Sequence, residues 1–242
     1  MGARLTDAAQ PFDLSVRPGE VLGLAGLEGH GQARFLRCLA GWEDLTDGEV
    51  LVPETTPGAG THIRTPRDAH RAHIAYVPGD RKRDGIFAAL SVEDNFTLPV
   101  LGQFARGGVL NIRRLRRSAE ELSARMRVKM QNLDAAIETL SGGNQQKVVL
   151  GRWIAASPRV MLLDDSMRGV DVNSKAEIMT VLMELVADGV ALVLLSTEVE
   201  ELVDLCHRVA VFREQSLFRV LDRAQIAEET VVAAILGESE RP

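Results

Sequence analysis

The chain has 242 residues, 45% of them hydrophobic and 26% charged, with a formal net charge of −6. That length supports one large α/β domain with a full core, and the composition is that of an ordinary soluble globular protein. The acidic balance disfavours a dedicated nucleic-acid binder, which carries a basic excess. Two cysteines, Cys38 and Cys206, lack metal-ligand spacing and point to buried thiols in a reducing compartment. No apolar run reaches bilayer-spanning length and the opening residues do not read as a signal peptide. A cytosolic location is therefore expected, with any membrane role supplied by a partner.

Phe12, Leu14 and Val16 alternate with polar residues ahead of Arg17-Pro18-Gly19, which predicts a short half-buried strand. Residues 20–25 predict a second strand running into Gly26-Leu27-Glu28-Gly29-His30-Gly31-Gln32-Ala33-Arg34. Phe35, Leu36 and Leu39 then have helical spacing, with Gly41 as C-cap. Strand, glycine loop and helix is the context in which backbone N–H groups cradle phosphate. Gly26 and Gly31 fit the G-x-x-x-x-G spacing, but the next two positions depart from it. Gln32 stands where a lysine would reach the β- and γ-phosphates, and Ala33 where a hydroxyl would hold Mg²⁺. Such a loop offers N–H groups and weak nucleotide binding; a plain strand-to-helix turn is the competing reading.

Asp47-Gly48 predicts a turn, 49–52 a strand and 53–60 a polar surface loop. Thr65 and Pro66 read as N-cap and first residue of a short helix. His62, His70 and His73 fit no common metal spacing and read as solvated or capping residues. A strand over 72–77 leads into Pro78-Gly79-Asp80-Arg81-Lys82-Arg83, a basic turn. Over 90–140 the pattern is helical, with Ile112, Leu115, Ala119, Leu122, Met126 and Met130 on one stripe. Arg113, Arg114, Arg116 and Arg117 fall off that stripe and predict a solvated face rather than an RNA-binding one.

The most informative run is Leu140-Ser141-Gly142-Gly143-Asn144-Gln145-Gln146-Lys147-Val148. Serine and paired glycines ahead of an apolar-periodic stretch that ends before Pro158 predict a helix whose N-terminus is open to an anion. Then Val160, Met161, Leu162 and Leu163 are closed by Asp164-Asp165, a buried parallel strand ending in carboxylates. Arg168-Gly169-Val170-Asp171 follows, and a second buried run over 190–195 is closed by Ser196-Thr197-Glu198. A helix over 200–206, a strand over 208–212 and an amphipathic helix over 224–236 ending at Gly237 complete the reading.

The order LSGGNQQKV, LLDD, RGVD resembles the ABC ATPase domains, specifically those of bacterial monosaccharide importers, over residues 18–237. The resemblance implies an α/β P-loop NTPase fold: a mostly parallel sheet flanked by helices, with a small antiparallel β region and a helical subdomain. It implies one nucleotide-binding domain over 1–242, with nucleotide core to 88, helical subdomain over 89–144 and the remaining core over 145–242. It also assigns roles. Gly26, Gly29, His30, Gly31, Gln32, Ala33 and Arg34 form the nucleotide-binding loop, resembling a degenerate Walker A, and Asp164 holds Mg²⁺ through water. Asp165 takes the position of the catalytic glutamate, one methylene short, without the usual Pro-Thr after it, and Thr197 takes that of the switch histidine. Gly79 and Asp80 lie in the Q-loop, Gly79 at its acidic position; Gly169 and Asp171 lie in the D-loop. Leu140, Ser141, Gly142, Gly143, Asn144 and Gln145 form the signature, which in this family acts on ATP held by a facing domain.

The elements acting on the domain's own ATP and Mg²⁺ are thus altered, while the one acting across a dimer is intact. The resemblance implies a second ABC domain with an intact Walker A, in the same longer polypeptide, with this chain as the second half or a split version of it. A strand that normally precedes residue 12 in the family is not found. Further implied partners are a transmembrane permease and, through it, a periplasmic sugar-binding protein, with no nucleic acid; the place is the inner face of the cell membrane. Two other readings remain: an autonomous ATPase with Asp165 or Asp80 as base and Arg34 replacing the lysine, or a non-catalytic scaffold. A DNA-repair ATPase is disfavoured because no long heptad run interrupts the chain.

Overall fold

The computed structural model describes residues 2–53 and 60–238, so most of the loop expected over 53–60 lies outside the described residues. The strands are β1 (Val21–Ala25), β2 (Leu51–Pro53), β3 (Gly60–His62), β4 (Ile74–Val77), β5 (Ala105–Arg106), β6 (Val109–Leu110), β7 (Val160–Asp164), β8 (Ala191–Leu195), β9 (Arg208–Arg213) and β10 (Ser216–Asp222). The helices are α1 (Gln32–Leu39), α2 (Pro66–Arg71), α3 (Val92–Thr97), α4 (Ile112–Arg125), α5 (Gly142–Ala155), α6 (Val172–Ala187), α7 (Val199–Leu205) and α8 (Glu228–Leu236). They pack as two compact units, one of residues 1–76, 159–165 and 186–242, the other of 77–158 and 166–185.

The first unit is built on a sheet of order β10-β9-β1-β8-β7-β4. β9, β1, β8 and β7 pair in parallel. β1 and β8 are buried along their whole length, as apolar runs covered on both faces require. β10 adds an antiparallel edge through a turn at Glu214 and Gln215, both at positive φ (49° and 63°). Phe12, Phe35 and Phe212 meet with ring centroids 5.3 to 5.7 Å apart. Thr65 caps α2 in a reciprocal box with Asp68, and Pro66 opens it as expected.

The strand expected around Phe12, Leu14 and Val16 does not form. Its side chains alternate half-buried and exposed, but the backbone finds only single bridges nearby, Ala3 to Phe12 and Arg4 to Asp47. With no neighbouring ladder to complete, the segment lines an apolar cavity of 470 Å³ with Leu39, Val50 and Ile74.

In the second unit α5 is the central helix, buried over most of its length and packed on α3 and α4. Gly151 makes the α3 contact possible: a Cβ there would lie 2.5 Å from Phe96 Cε1 and 3.0 Å from Met126 Cγ. Gly151→Ala is therefore expected to lower stability by about 1–3 kcal/mol through overpacking, read as a lower urea midpoint at unchanged m.

The helical stretch expected over 90–140 is interrupted. α3 passes into a 3-10 turn over 98–104, a hairpin of β5 and β6 follows, and only then does α4 begin under an Asn111 cap. Leu115, Ala119, Leu122 and Met126 are buried as the stripe requires, but Ile112 is 68% exposed. The helix ends at Arg125 with Arg127 at φ 51°, which leaves Met130 beyond it. Among the described residues no helix is long and apolar enough to cross a membrane.

Candidate functional site

In the first unit, β1 delivers the chain to Gly26, Gly29 and Gly31, all at positive φ (158°, 82° and 109°). A Cβ on Gly31 would lie 2.9 Å from Leu5 Cδ1 and 3.0 Å from Gln215 Cα, so only glycine fits there. Gly31 is the N-cap of α1 and provides no side chain to it, which leaves the first-turn N–H groups open to an anion.

Gln32 is 8% exposed, and its Nε2 donates to the Gly26 and Leu27 carbonyls, both at 2.9 Å. The Gln215 amide donates to the Gly29 carbonyl. Two neutral amides therefore tie the loop's carbonyls, and His30 Nδ1 is buried without a partner. Arg34 is engaged with Glu43, its Nε 3.4 Å from Oε2, and with the Asp44 carbonyl.

At the sheet edge, Asp164 accepts from the Tyr76 hydroxyl, and the Tyr76 ring stacks on Trp42 with centroids 4.9 Å apart. Asp165, at φ 48°, accepts from both the N–H and Oγ1 of Thr197 at 3.1 Å, and its own N–H donates to the Leu195 carbonyl. The ends of β7 and β8 are thus stitched by the two residues expected at the catalytic and switch positions. These observations separate the two expected ligands. A phosphate fits the open turn of α1. Mg²⁺ does not fit this donor set: Ala33 has no oxygen, the Asp164 carboxylate already accepts from Tyr76, and the described residues contain no cluster of three metal-ligating side chains.

In the second unit, Ser141 caps α5, its Oγ accepting from Asn144 Nδ2 at 2.9 Å and facing solvent. Asn144 Oδ1 accepts from the Lys129 N–H at 2.8 Å. Gln145 Nε2 donates to the Ile137 and Leu140 carbonyls at 3.3 and 3.2 Å. Lys147, 1% exposed, pairs with Glu177 and donates to the Arg127 carbonyl. Asn144 and Gln145 thus fix the turn, and Gln146 is buried without a hydrogen-bond partner, leaving the Ser141 O–H and the leading N–H groups of α5 for something outside.

Gly143 is buried against the start of α6, 2.8 Å from Asp171 Oδ2 by the position a Cβ would take. Asp171 accepts from the Ser174 N–H at 3.0 Å, and these Ser174 hydrogen bonds hold its carboxyl below the usual carboxylate range. Gly169 takes φ 67° in the same loop, and Val172 is 83% exposed beside it. Asp80 caps its own turn by accepting from Lys82 N and Arg83 N, both at 3.1 Å, and Gly79 precedes it without a side chain. Arg81 packs its guanidinium over Gly142 and reaches the Arg168 carbonyl at 3.5 Å.

A family model described as ABC transporter matches residues 9–168. The chain belongs to the ABC transporter family. It is 40% identical over 222 residues to the ribose import ATP-binding protein RbsA of Chromobacterium violaceum, covering 92% of this chain and 43% of that protein. It is 36% identical over 233 residues to ribose import ATP-binding protein RbsA 1 of Rhizobium johnstonii, covering 96% and 45%. The chain thus spans less than half the length of the curated relatives it matches. The dimeric, post-hydrolysis structure of the ATP-binding cassette MJ0796 with ADP and Pi superposes with a TM-score of 0.73 at 20% identity, over 89% of this chain and 90% of that one. The fold is accordingly that of an ABC ATPase cassette, with the mostly parallel sheet and flanking helices expected from the sequence.

Three residues around this candidate site escape the sequence patterns: Tyr76, Trp42 and Gln215. Tyr76 carried a signal, being the chain's one tyrosine, at the end of a predicted strand. Gln215 carried none, since it reaches the loop from 186 residues away.

Proposed function

We propose that this chain is a nucleotide-binding domain of a monosaccharide ABC importer that works chiefly in trans. Its signature, Ser141, Gly142 and Gly143, meets the γ-phosphate of ATP held by a second ABC domain, while its own loop binds nucleotide weakly and does not turn it over. The carrying observation is the contrast between the two helix N-termini. At α5 the Ser141 hydroxyl faces outward on a turn fixed by Asn144 and Gln145. At α1 the side chains that should act on phosphate are a neutral amide and a methyl, and Arg34 is paired with Glu43. A preorganised hydroxyl and N–H groups stabilise charge developing on a phosphate without reorganising.

The relatives named as ribose import proteins support sugar import, and their greater length supports a second ABC domain in the same polypeptide. In that arrangement the region over 89–144 is the helical subdomain. Part of its surface, with the Q-loop residues Gly79 and Asp80, faces a permease, and through it a periplasmic sugar-binding protein, at the cytoplasmic face of the membrane. Asp171 and Gly169 belong to the D-loop that crosses to the facing domain.

Titration of the isolated chain with ATP, with and without Mg²⁺, tests this reading. Weak binding that Mg²⁺ hardly changes, with negligible turnover, is expected. Tight Mg²⁺-dependent binding and turnover lost on Asp164→Ala would instead make it an autonomous ATPase, and no ATP-dependent association with an intact ABC domain would make it a scaffold.

A further inference from the structure

The β5–β6 hairpin carries none of the residues assigned above to nucleotide. Among the described residues its strands pair only with each other, Ala105 with Leu110 and Arg106 with Val109, across Gly107-Gly108 at φ 59° and 81°. Residues 105–114 are exposed without a break. A two-stranded ribbon with neither face packed is marginal in water. This one nevertheless carries Val109 at 73% exposure and Leu110 at 42%, and it leads into Ile112 at 68%.

The charge around these side chains is one-sided. Five arginines lie within 106–117, in a chain whose net charge is −6. Directly opposed residues of an antiparallel pair face the same side, so Arg106 accompanies Val109. Arg113 and Arg117 stand one turn apart on α4, both exposed. Arg116 is paired with Glu93 and Asp134 at 3.0 and 2.9 Å, and Arg114 lies over the Phe104 ring at 5.7 Å. Among the described residues Arg106, Arg113 and Arg117 have no carboxylate partner.

We propose that the hairpin tip and the first turns of α4 form a peripheral membrane patch for anionic lipid headgroups. Val109, Leu110 and Ile112 enter the boundary between headgroups and acyl chains, while Arg106, Arg113 and Arg117 meet lipid phosphates. An acidic protein surface would also attract the arginines. A protein interface, however, gathers its apolar residues into one close-packed centre, whereas Val109 and Leu110, successive on one strand, point to opposite faces of the ribbon. A fluid surface accommodates that shape. The proposal is independent of how the chain handles nucleotide.

Flotation of the whole chain with vesicles tests it. Phosphatidylcholine vesicles containing phosphatidylglycerol should carry the chain up, less so at high salt, and vesicles of phosphatidylcholine alone should not. Each arginine lost should lower partition about fivefold, so Arg113→Gln with Arg117→Gln should lower it about 25-fold. Val109→Ser with Ile112→Ser should lower it as well, with circular dichroism unchanged because both residues are exposed. Wild-type-like flotation of these variants, or no preference for the anionic vesicles, would overturn the proposal. So would a chain that ignores vesicles while its variants lose affinity for detergent-solubilised permease, which would assign the patch to a protein partner.

Discussion

Gly143→Val in this chain should cut the ATP turnover of a reconstituted pair with a lysine-bearing ABC domain by about 10²–10³-fold, the cost of losing a preorganised donor to developing charge. The reason is geometric. A Cβ at Gly143 would lie 2.6 Å from Ser174 Cβ and 2.8 Å from Asp171 Oδ2. Neither neighbour yields freely: Asp171 holds the Ser174 N–H at the start of α6. The first turn of α5 must therefore back away, and a displacement near an ångström is enough to cost about 10²-fold in a positioned reaction. ATP affinity at the partner's own loop should change little. Because valine could also loosen the fold, Ser141→Ala serves as the second variant. It removes an exposed hydroxyl and about 1 kcal/mol of capping, yet should lower turnover with the pair still assembled. Full turnover with both variants would end the trans reading, whereas substitution at Gln32 should leave turnover in the pair nearly untouched.

What the sequence disclosed follows from how local each signal is. β1, β7 and β8 are uninterrupted apolar runs, and a strand buried on both faces needs nothing else to be recognised. The α5 N-terminus was equally plain, because a serine cap, two glycines and an apolar period occupy adjacent positions. β10 was not legible. Its turn is made by Glu214 and Gln215 at positive φ, without the glycine or asparagine that marks such turns. The β5–β6 hairpin was hidden for a different reason: its strands are two residues each, too short to show a period of their own beside the stripe that starts at Ile112.

The chemistry of the site divides in the same way. That Gln32 and Ala33 bring an amide and a methyl to the first turn of α1, with no ammonium or hydroxyl, is written at their own positions. What the remaining side chains do instead depends on partners far along the chain. Asp164 meets Tyr76 across 88 residues and Asp165 meets Thr197 across 32. Arg34 is claimed by Glu43, an acid with no motif of its own. Sequence thus tells which groups are absent, and the structure tells what occupies those that remain.

Arg152→Met should lower stability by about 2–6 kcal/mol, a large part of the ~5–15 kcal/mol that holds a domain together. Arg152 is 5% exposed and has no carboxylate among its hydrogen-bond acceptors. Its Nε donates to the Asn95 carbonyl and Nη1 to the Gly85 carbonyl, both at 2.6 Å, and Nη2 to Asn95 Oδ1 at 2.7 Å. The guanidinium also lies 4.8 Å over the Phe87 ring. Desolvation holds its pKa down at about 10, so the charge is buried at a cost that these acceptors offset. Methionine preserves much of the volume and removes that cost, but it leaves two backbone carbonyls buried without donors, at about 1–3 kcal/mol each. Asn95 Oδ1 would survive the change, since it also accepts from the Phe87 N–H at 2.9 Å. Arg152→Lys should recover only part of the loss, because one ammonium cannot reproduce the three-way fork. Urea unfolding of the three proteins gives the answer. A loss under about 1 kcal/mol for the methionine variant would mean that relief of the buried charge cancels the orphaned carbonyls. The expected loss would make this guanidinium the clamp that fastens residues 85–95 to α5, whose N-terminus carries the proposed signature.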